Sequence, residues 1–346
     1  MKKKSIAVIF GGYSPEYDVS LKSAYSIIGA IDREKYDVIM LGITRQGAWY
    51  RYTGDPEGIP GDEWHSDERH LAGAAISPSR GGGLLVFEGG RAESAPVDVV
   101  FPVLHGRFGE DGTVQGLCEL AGIPVVGCGS AASALCMDKD RAHKLVEHAG
   151  IRVPESACFD HAPADEELLH AARGLKLPVF VKPVKTGSSF GITKVEALSQ
   201  LPDAVRTAFG YDDSVIIEES IDGFETGCAV VGNLELRTGR IDEIELAGGF
   251  FDYEEKYSLI TSKIHVPARI DGETERRLQE AAKTIYRILG CRGYARVDIF
   301  LTKENEIVFN EANTIPGFTS HSRFPNMMKA VGVGFPELVD MLIGLA

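Results

Sequence analysis

The chain has 346 residues, a formal net charge of −14 and a hydrophobic fraction of 44%. This length gives room for two or three domains with a large core, and the acidic balance argues against nonspecific nucleic-acid binding or a polybasic membrane anchor. No apolar run reaches transmembrane length, and Lys2–Lys4 lead directly into a strand-like segment rather than a signal peptide. We therefore expect a cytoplasmic protein without membrane insertion, and its six scattered cysteines, which form no CxxC pair, are expected to be reduced.

The first segment predicts the opening of a doubly wound α/β unit. Ser5–Phe10 is an apolar run typical of a buried parallel strand, Gly11–Ser14 is a glycine turn, and Val19–Ile31 has the apolar periodicity of a helix. A G-x-G-x-x-G fingerprint is missing, which weakens a redox dinucleotide interpretation. Glu16 lies in the turn, where it could reach a ligand at the sheet edge or simply cap the helix.

Further strands are predicted over Tyr36–Ile43 and Val97–Leu104. Residues 51–95 are polar and glycine-rich, so we expect irregular surface excursions with one hairpin around Leu84–Phe87. The second strand runs into His105–Gly112, a flexible polar loop of the kind that binds ligands where a sheet ends. A helix over Val114–Ala121, a short strand over Ile123–Val126 and an amphipathic helix over Arg141–Ala149 follow, with a domain boundary at residue 133.

The middle of the chain contains a candidate phosphate-binding loop. Val179–Pro183 is a predicted strand that carries Lys182, and Ile192–Val195 is the next predicted strand. The loop between them, Val184–Gly191, is rich in glycine and serine, so its N–H and hydroxyl groups could surround phosphate oxygens beside a lysine. It lacks the G-x-x-x-x-G-K-[ST] pattern and is not a P-loop. An ordinary hairpin turn is the alternative.

Two segments further on suggest a nucleoside site and a lid. Val215–Glu219 is a predicted strand that turns into a connector, where backbone groups could meet an adenine edge and Glu225 could bind ribose hydroxyls. Glu245–Tyr257 contains aromatic and acidic residues without regular period, which suits a mobile loop over a site. A charged helix is predicted from after Asp271 to about Leu289.

A hairpin near the C-terminus predicts a metal site. Val297–Leu301 and Ile307–Phe309 read as two short strands joined by a polar link. Asp298 lies in the first, and Glu311 and Asn313 follow the second, two residues apart and therefore on one side of an extended segment. Two carboxylates and an amide oxygen suit Mg²⁺, which shares its coordination with substrate phosphates. A solvent-facing acidic hairpin is the alternative.

Nine strings along the chain closely resemble the D-alanine–D-alanine ligase family of the ATP-grasp superfamily. They keep the family's order from residue 11 to 322, and they are GGYSPEYDVSLKSA, LHGRFGEDGTVQG, GIPVVG, ALCMDKD, VKPVKTGSSFGITKV, IEESIDGFETG, FFDYEEKY, RVDIF and FNEANTIPGFTSHS. The resemblance implies an α/β fold of three domains, in which an N-terminal doubly wound α/β domain precedes two α+β ATP-grasp domains. Domain limits of 1–133, 134–214 and 215–346 are expected.

The resemblance also implies a mechanism. ATP phosphorylates the carboxylate of a first D-alanine, and the amine of a second amino acid attacks the acyl phosphate. Two Mg²⁺ ions, or Mn²⁺, are implied at Asp298, Glu311 and Asn313. ATP contacts are implied at Lys139, Lys182, Ser189, Glu218, Ile221, Glu225 and Lys256.

The implied catalytic residues divide by role. Glu16 binds the ammonium group of the first substrate, and Ser188 and Tyr257 form a hydrogen-bonded link with it. His105 lies near the acyl phosphate or a substrate carboxylate. Arg296 and the N–H of Gly317 stabilise the tetrahedral oxyanion.

Two departures concern the second substrate. Arg323, after Ser322, stands where many D-alanine–D-alanine ligases have leucine, and Phe251 stands where tyrosine is frequent. Both look like the D-alanine–D-serine ligases of vancomycin resistance, the VanC and VanG kinds, and a guanidinium can donate to a hydroxyl that D-alanine lacks. We expect D-alanine, D-serine and ATP as ligands and a homodimer. A D-alanine–D-alanine ligase, an ATP-grasp ligase for another carboxylate, and a nucleotide-binding module without chemistry remain alternatives, and the DYEEKY sequence around Tyr257 disfavours a D-lactate-forming ligase.

Overall fold

The computed structural model describes residues 3–187, 190–246 and 262–346. Three sheets follow one another along the chain, and helices cover them. No helix in the described part of the chain combines the length and the apolar character that crossing a membrane requires.

The N-terminal sheet has seven strands in the order β6-β5-β4-β3-β2-β1-β7. Its elements, with the helices that accompany them, are β1 (Lys4–Gly11), α1 (Tyr17–Ala30), β2 (Tyr36–Ile43), β3 (Trp49–Tyr52), β4 (Leu71–Ile76), β5 (Leu84–Glu88), β6 (Arg91–Ala95), β7 (Val99–Pro102) and α2 (Thr113–Ala121). β1 pairs in parallel with both β2 and β7, which confirms the predicted α/β opening.

Two predictions for this sheet were wrong. Residues 51–95 were expected to be irregular apart from one hairpin, but they contain the strands β4, β5 and β6, which together with β3 extend the sheet in antiparallel order. The predicted hairpin around Leu84–Phe87 is confirmed as the antiparallel pair of β5 and β6. β6 has a weak hydrophobic signal because it is exposed along most of its length. The predicted strand at Ile123–Val126 is reduced to an isolated bridge between Val125 and Val100.

The central sheet is antiparallel, in the order β10-β9-β11-β8. Helices α3 (Ser130–Met137) and α4 (Lys139–His148) lead into it, and its own elements are β8 (Ser156–Phe159), α5 (Asp165–Ala172), β9 (Val179–Pro183), β10 (Thr193–Val195), α6 (Leu201–Phe209) and β11 (Val215–Glu219). β9 pairs with β10, so the candidate phosphate loop connects two adjacent strands as expected.

The C-terminal sheet runs in the order β15-β14-β12-β16-β17, and β13 pairs with β12 outside this path. Its elements are β12 (Gly223–Val231), β13 (Arg237–Thr238), β14 (Asp242–Leu246), β15 (Ser262–His265), α7 (Gly272–Ile288), β16 (Tyr294–Thr302), β17 (Ile307–Asn313), α8 (Arg323–Lys329) and α9 (Phe335–Gly344). The predicted helix after Asp271 is confirmed as α7, whose buried face includes Leu278 and Ile285.

The domain limits stay a prediction. β11 begins at Val215, yet it pairs with β9 and β8 of the central sheet, so a division by sheets would follow Glu219 instead. The first and last parts of the chain also share one core, in which Ile27 of α1 and Leu338 of α9 belong to the same buried cluster. This packing holds the N-terminal sheet against the C-terminal segment that follows β17.

Candidate active site

The β16–β17 hairpin brings the predicted metal ligands together. Asp298 lies opposite Glu311 and Arg296 opposite Asn313, and the amide Nδ2 of Asn313 donates to Asp298 Oδ2 at 2.9 Å. Glu311 and Asn313 lie inside β17 rather than after it, because the strand continues through the buried Ala312. Their shared side of the strand was predicted correctly.

The side chains of this hairpin suit a hard divalent cation. Two carboxylates and one amide supply oxygen donors, and Mg²⁺ usually completes such a set with water and phosphate oxygens. Within residues 3–187, 190–246 and 262–346, no group of three or more His, Cys, Asp or Glu side chains is placed to hold a metal. The candidate site therefore depends on the amide of Asn313 as its third ligand.

Arg296 lies beside the same carboxylate. Its Nε and Nη2 donate to the two oxygens of Asp298 at 2.8 and 2.6 Å. Burial opposes the charge of Arg296, but the neighbouring Asp298 outweighs it and raises the pKa of the guanidinium. A permanently charged donor thus bonds directly to Asp298, one of the candidate metal ligands.

A buried ion pair joins Lys182 of β9 and Glu218 of β11. Lys182 Nζ donates to Glu218 Oε2 at 2.5 Å. Burial favours the neutral forms, but each charge outweighs it in the other, so the pKa of Lys182 is raised and that of Glu218 is lowered. Glu218 Oε1 and His143 Nδ1, 3.7 Å apart, have no hydrogen-bond partner among the described residues. Both atoms can accept, because His143 Nε2 donates to the carbonyl oxygen of Asn310 at 2.7 Å, so they suit a ligand group that donates hydrogen bonds, such as an amino group.

Lys139 bridges the phosphate loop and the hairpin. It begins α4, where the Asp138 side chain accepts from the N–H of Arg141. Its Nζ donates to the carbonyl of Thr186 at 2.9 Å and lies 3.9 Å from Glu311 Oε2. A cation in this position could neutralise phosphate charge between the loop and a metal ion. Ile221 lies in the short connector between β11 and β12, as predicted.

Glu16 marks the other end of the site. It precedes α1 and is almost fully buried. A Cβ added at Gly106 would lie 2.6 Å from Glu16 Oε2, and one added at Gly187 would lie 3.2 Å from it. Gly106 also has a φ of +73°, which favours glycine. Both loops therefore approach the carboxylate closely, beside a cleft of about 990 Å³ that Glu16, Gly106 and Gly187 help to line.

His105 is buried, and both of its ring nitrogens lie near protein groups. Nδ1 lies 2.9 Å from the carbonyl oxygen of Ile315, and Nε2 lies 3.4 Å from Ser23 Oγ. Burial lowers the pKa of His105 to about 4, so the ring is neutral near pH 7. A neutral ring that donates through Nδ1 accepts through Nε2. The predicted contact with the acyl phosphate or substrate stays a prediction.

Arg323 enters the site from the start of α8. Its Nε and Nη2 donate to Asp242 Oδ2 and Oδ1 at 2.7 and 2.8 Å, and its Nη1 donates to Glu225 Oε1 at 3.0 Å. Nη2 also lies 3.5 Å from Asp298 Oδ1. Gly227 leaves room for this group, because a Cβ there would lie 2.5 Å from Nη2. Arg323, the expected specificity residue, therefore lies beside Glu225, the expected ribose ligand, and Asp298, the expected metal ligand.

Ser322 and Gly317 lie in the segment between β17 and α8. The hydroxyl of Ser322 accepts from the N–H of Thr319 at 2.9 Å, which shapes the turn before the helix. A Cβ at Gly317 would lie 3.3 Å from Ser322 Oγ. The two residues are therefore neighbours.

Three residues of this site were missed from the sequence: Gly227, Asp242 and Glu110. Asp242 is fully buried, and the only sign of this in the sequence is its position between the apolar residues Ile241 and Ile244. Glu110 is one of two acids in the His105–Gly112 loop, and no role was predicted for it. Five predicted residues lie outside the described part of the chain, namely Ser188, Ser189, Phe251, Lys256 and Tyr257.

Comparison with known proteins decides the family. Residues 5–128 match the family described as D-ala D-ala ligase N-terminus, and residues 145–344 match the one described as D-ala D-ala ligase C-terminus. The chain belongs to the D-alanine–D-alanine ligase family. It is similar to the crystal structure of VanG D-Ala:D-Ser ligase from Enterococcus faecalis, with 56% identity, a TM-score of 0.93 and 99% of each chain covered.

Two curated relatives extend the comparison over the full chain. The vancomycin B-type resistance protein VanB of Enterococcus faecalis (strain ATCC 700802 / V583) is 47% identical over 100% of this chain and 99% of its own length. The D-alanine–D-alanine ligase B of Clostridium tetani (strain Massachusetts / E88) is 40% identical over 100% of this chain and 94% of its own length.

Family membership confirms the predicted α/β ATP-grasp fold and the resemblance that led to it. The chain is a ligase, and the family's chemistry uses ATP and a divalent metal. The charges found here fit that chemistry, since Lys139 bonds the loop between β9 and β10 and lies near the carboxylate of Glu311 on the β16–β17 hairpin.

Proposed function

We propose that the protein joins D-alanine to D-serine with ATP, through a D-alanyl phosphate. The product would supply altered peptidoglycan precursor termini and thereby vancomycin resistance. The observation that carries this proposal is Arg323 among the carboxylates of Asp242, Glu225 and Asp298, together with Phe251 in the sequence. The similarity to a solved D-Ala:D-Ser ligase over nearly the whole chain supports it.

The hydrogen bonds of Arg323 leave it able to recognise a hydroxyl. A guanidinium has five N–H groups. Its bonds to Asp242 and Glu225, with the close approach to Asp298, account for four of them among the described residues. One N–H on Nη1 remains for a D-serine hydroxyl, and the three carboxylates hold the donor in place. A preorganised polar group discriminates well against an analogue that lacks the hydroxyl.

The remaining residues divide the reaction between them. Glu16 would bind the ammonium group of the first D-alanine, while Lys139 and Lys182 would hold ATP phosphates. Two Mg²⁺ ions would be held by Asp298, Glu311 and Asn313, and the metal would supply charge neutralisation on the phosphates. Arg296 and the Gly317 N–H would stabilise the oxyanion, with Lys256, Ser188, Ser189 and Tyr257 completing the predicted set.

Three further expectations belong to the same proposal. The protein would act in the cytoplasm, where peptidoglycan precursors are assembled, and it would form a homodimer. Glu218, Ile221 and Glu225 would hold the nucleoside between the central and C-terminal sheets. The three-domain division keeps its limits at 133 and 214 as a proposal, although β11 pairs with the central sheet.

D-alanine as the second substrate is the alternative. A relative named D-alanine–D-alanine ligase B, 40% identical over the whole chain, favours it. In that case Arg323 would only form ion pairs with the carboxylates around it, and the shape of the pocket would select the second amino acid.

An exchange of the two specificity residues tests the proposal. Arg323→Leu combined with Phe251→Tyr removes the hydroxyl donor and restores the pair frequent in D-alanine–D-alanine ligases. We expect the ratio of kcat/KM for D-serine over D-alanine to fall by about 10- to 100-fold. A control variant, Lys329→Leu on the exposed side of α8, should leave the ratio unchanged. An unchanged ratio in the double variant would rule out Arg323 and Phe251 as the selecting residues.

A further inference from the structure

The peptide of Ile315 is held on both sides by one loop of the N-terminal sheet. Glu110 Oε1 accepts a hydrogen bond from the N–H of Ile315 at 3.3 Å. His105 Nδ1 donates to the carbonyl oxygen of the same residue at 2.9 Å. Both side chains come from the His105–Gly112 loop, and Ile315 precedes the proposed oxyanion donor Gly317 by two residues. The loop and the oxyanion segment are therefore joined by backbone-directed bonds.

A third bond fixes the other side of Gly317. The N–H of Phe318 donates to Ser23 Oγ at 3.3 Å, and the same hydroxyl lies 3.4 Å from His105 Nε2. With Nδ1 as the donor to Ile315, Nε2 accepts from the Ser23 hydroxyl. Anchored peptides thus flank Gly317 on both sides. Ser23 belongs to α1, and His105 and Glu110 belong to the loop after β7, so all three anchoring side chains lie outside the C-terminal sheet.

Glu110 also connects this anchor to the substrate end of the site. Its Oε2 accepts from the N–H of Gly106 at 2.8 Å, and Gly106 lies against the carboxylate of Glu16. Burial of the carboxyl group and the nearby charge of Glu16 raise the pKa of Glu110 to about 8, although part of the residue is exposed to solvent. The two backbone N–H groups that bond Glu110 oppose this rise, because they favour the carboxylate form.

We propose that Glu110 is a positioning residue for the ligation step. By bonding Gly106 and Ile315 at once, it fixes the Gly317 N–H relative to the substrate that Glu16 holds. The inference rests on the proposed roles of Glu16 and Gly317, and it does not depend on which second amino acid is used. A small shift of the Gly317 N–H away from the developing oxyanion should lower kcat, whereas the affinity for ATP should stay unchanged.

The variant Glu110→Gln tests this assignment. Glutamine keeps the shape but has one acceptor oxygen for two N–H groups, so one of the two bonds is lost. With whichever pair of D-amino acids the unaltered protein joins, kcat should fall ~10- to 100-fold while KM for ATP stays unchanged. Affinity for a tetrahedral phosphinate analogue of the dipeptide should fall in parallel, because the analogue samples the same oxyanion contacts.

Two further variants separate positioning from folding. Ser23→Ala removes the anchor at Phe318 together with the hydroxyl beside His105 Nε2, and it should lower kcat in the same direction by a smaller factor, even if Glu110→Gln fails to fold. Glu34→Gln, an exposed acid after α1, should change neither constant. The assignment is overturned if folded Glu110→Gln keeps its kcat, or if analogue affinity is retained while only the unfolding midpoint falls. It is also overturned if Ser23→Ala keeps the unaltered kcat.

Discussion

Replacing Arg323 by leucine should destabilise the protein as well as change its substrate preference. The side chain is only 9% exposed, and it bonds Asp242 and Glu225 while lying close to Asp298. Asp242 is fully buried, so Arg323→Leu leaves its charge without this partner. Breaking a buried ion pair by removing one partner costs about 3–5 kcal/mol of unfolding free energy.

The assay compares urea-induced unfolding of three variants with the unaltered protein. Arg323→Leu should show the full loss, whereas Arg323→Leu/Asp242→Asn should recover a large part of it because the buried charge is gone as well. Lys329→Leu on the same helix should change the free energy by less than about 0.5 kcal/mol. If Arg323→Leu is as stable as the unaltered protein, the ion-pair network contributes no net stability and the reasoning fails.

Three further outcomes follow from the site. Arg296→Ala should lower kcat by ~10²–10³ if the guanidinium stabilises the oxyanion, and full turnover in the variant would remove that role. Glu311→Gln should raise the Mg²⁺ concentration needed for half-maximal activity while the circular dichroism spectrum stays unchanged; an unfolded variant would assign Glu311 to structure instead. The pKa of His105 is about 4 in the folded state and about 6.5 when unfolded, so the unfolded state binds more protons between these values. Stability should therefore fall as pH falls from 6.5 to 4, by up to ~3 kcal/mol relative to a His105→Asn variant, and equal pH profiles for the two proteins would contradict the burial of a neutral ring.

The hairpin of β16 and β17 could be predicted because its information is local. Apolar residues alternate on both sides of a short polar link, and the two-residue spacing of Glu311 and Asn313 places both on one side of the strand. The same local reasoning failed over residues 51–95. The exposed strand β6 is ordered by pairing with β5 rather than by burial, so its side chains give little sign of it.

The surroundings of Arg323 were beyond sequence reasoning for a different reason. Asp242 is 81 positions away in the chain, and a charged residue beginning a strand is more often solvated than buried. Only the pairing of β14 with β12, at Thr226 and Gly227, brings the two together. The role given to Glu110 likewise depends on contact between the first and last parts of the chain, 205 positions apart at Ile315.

The most direct measurement is a competition between second substrates. The protein is supplied with ATP, Mg²⁺, D-alanine and D-serine at equal concentrations of the two amino acids, and the dipeptides formed are separated by mass. We expect D-alanyl-D-serine as the main product, because the fixed guanidinium of Arg323 can donate a hydrogen bond to a hydroxyl that D-alanine lacks. A main product of D-alanyl-D-alanine would contradict it and leave Arg323 as a structural partner of Asp242, Glu225 and Asp298.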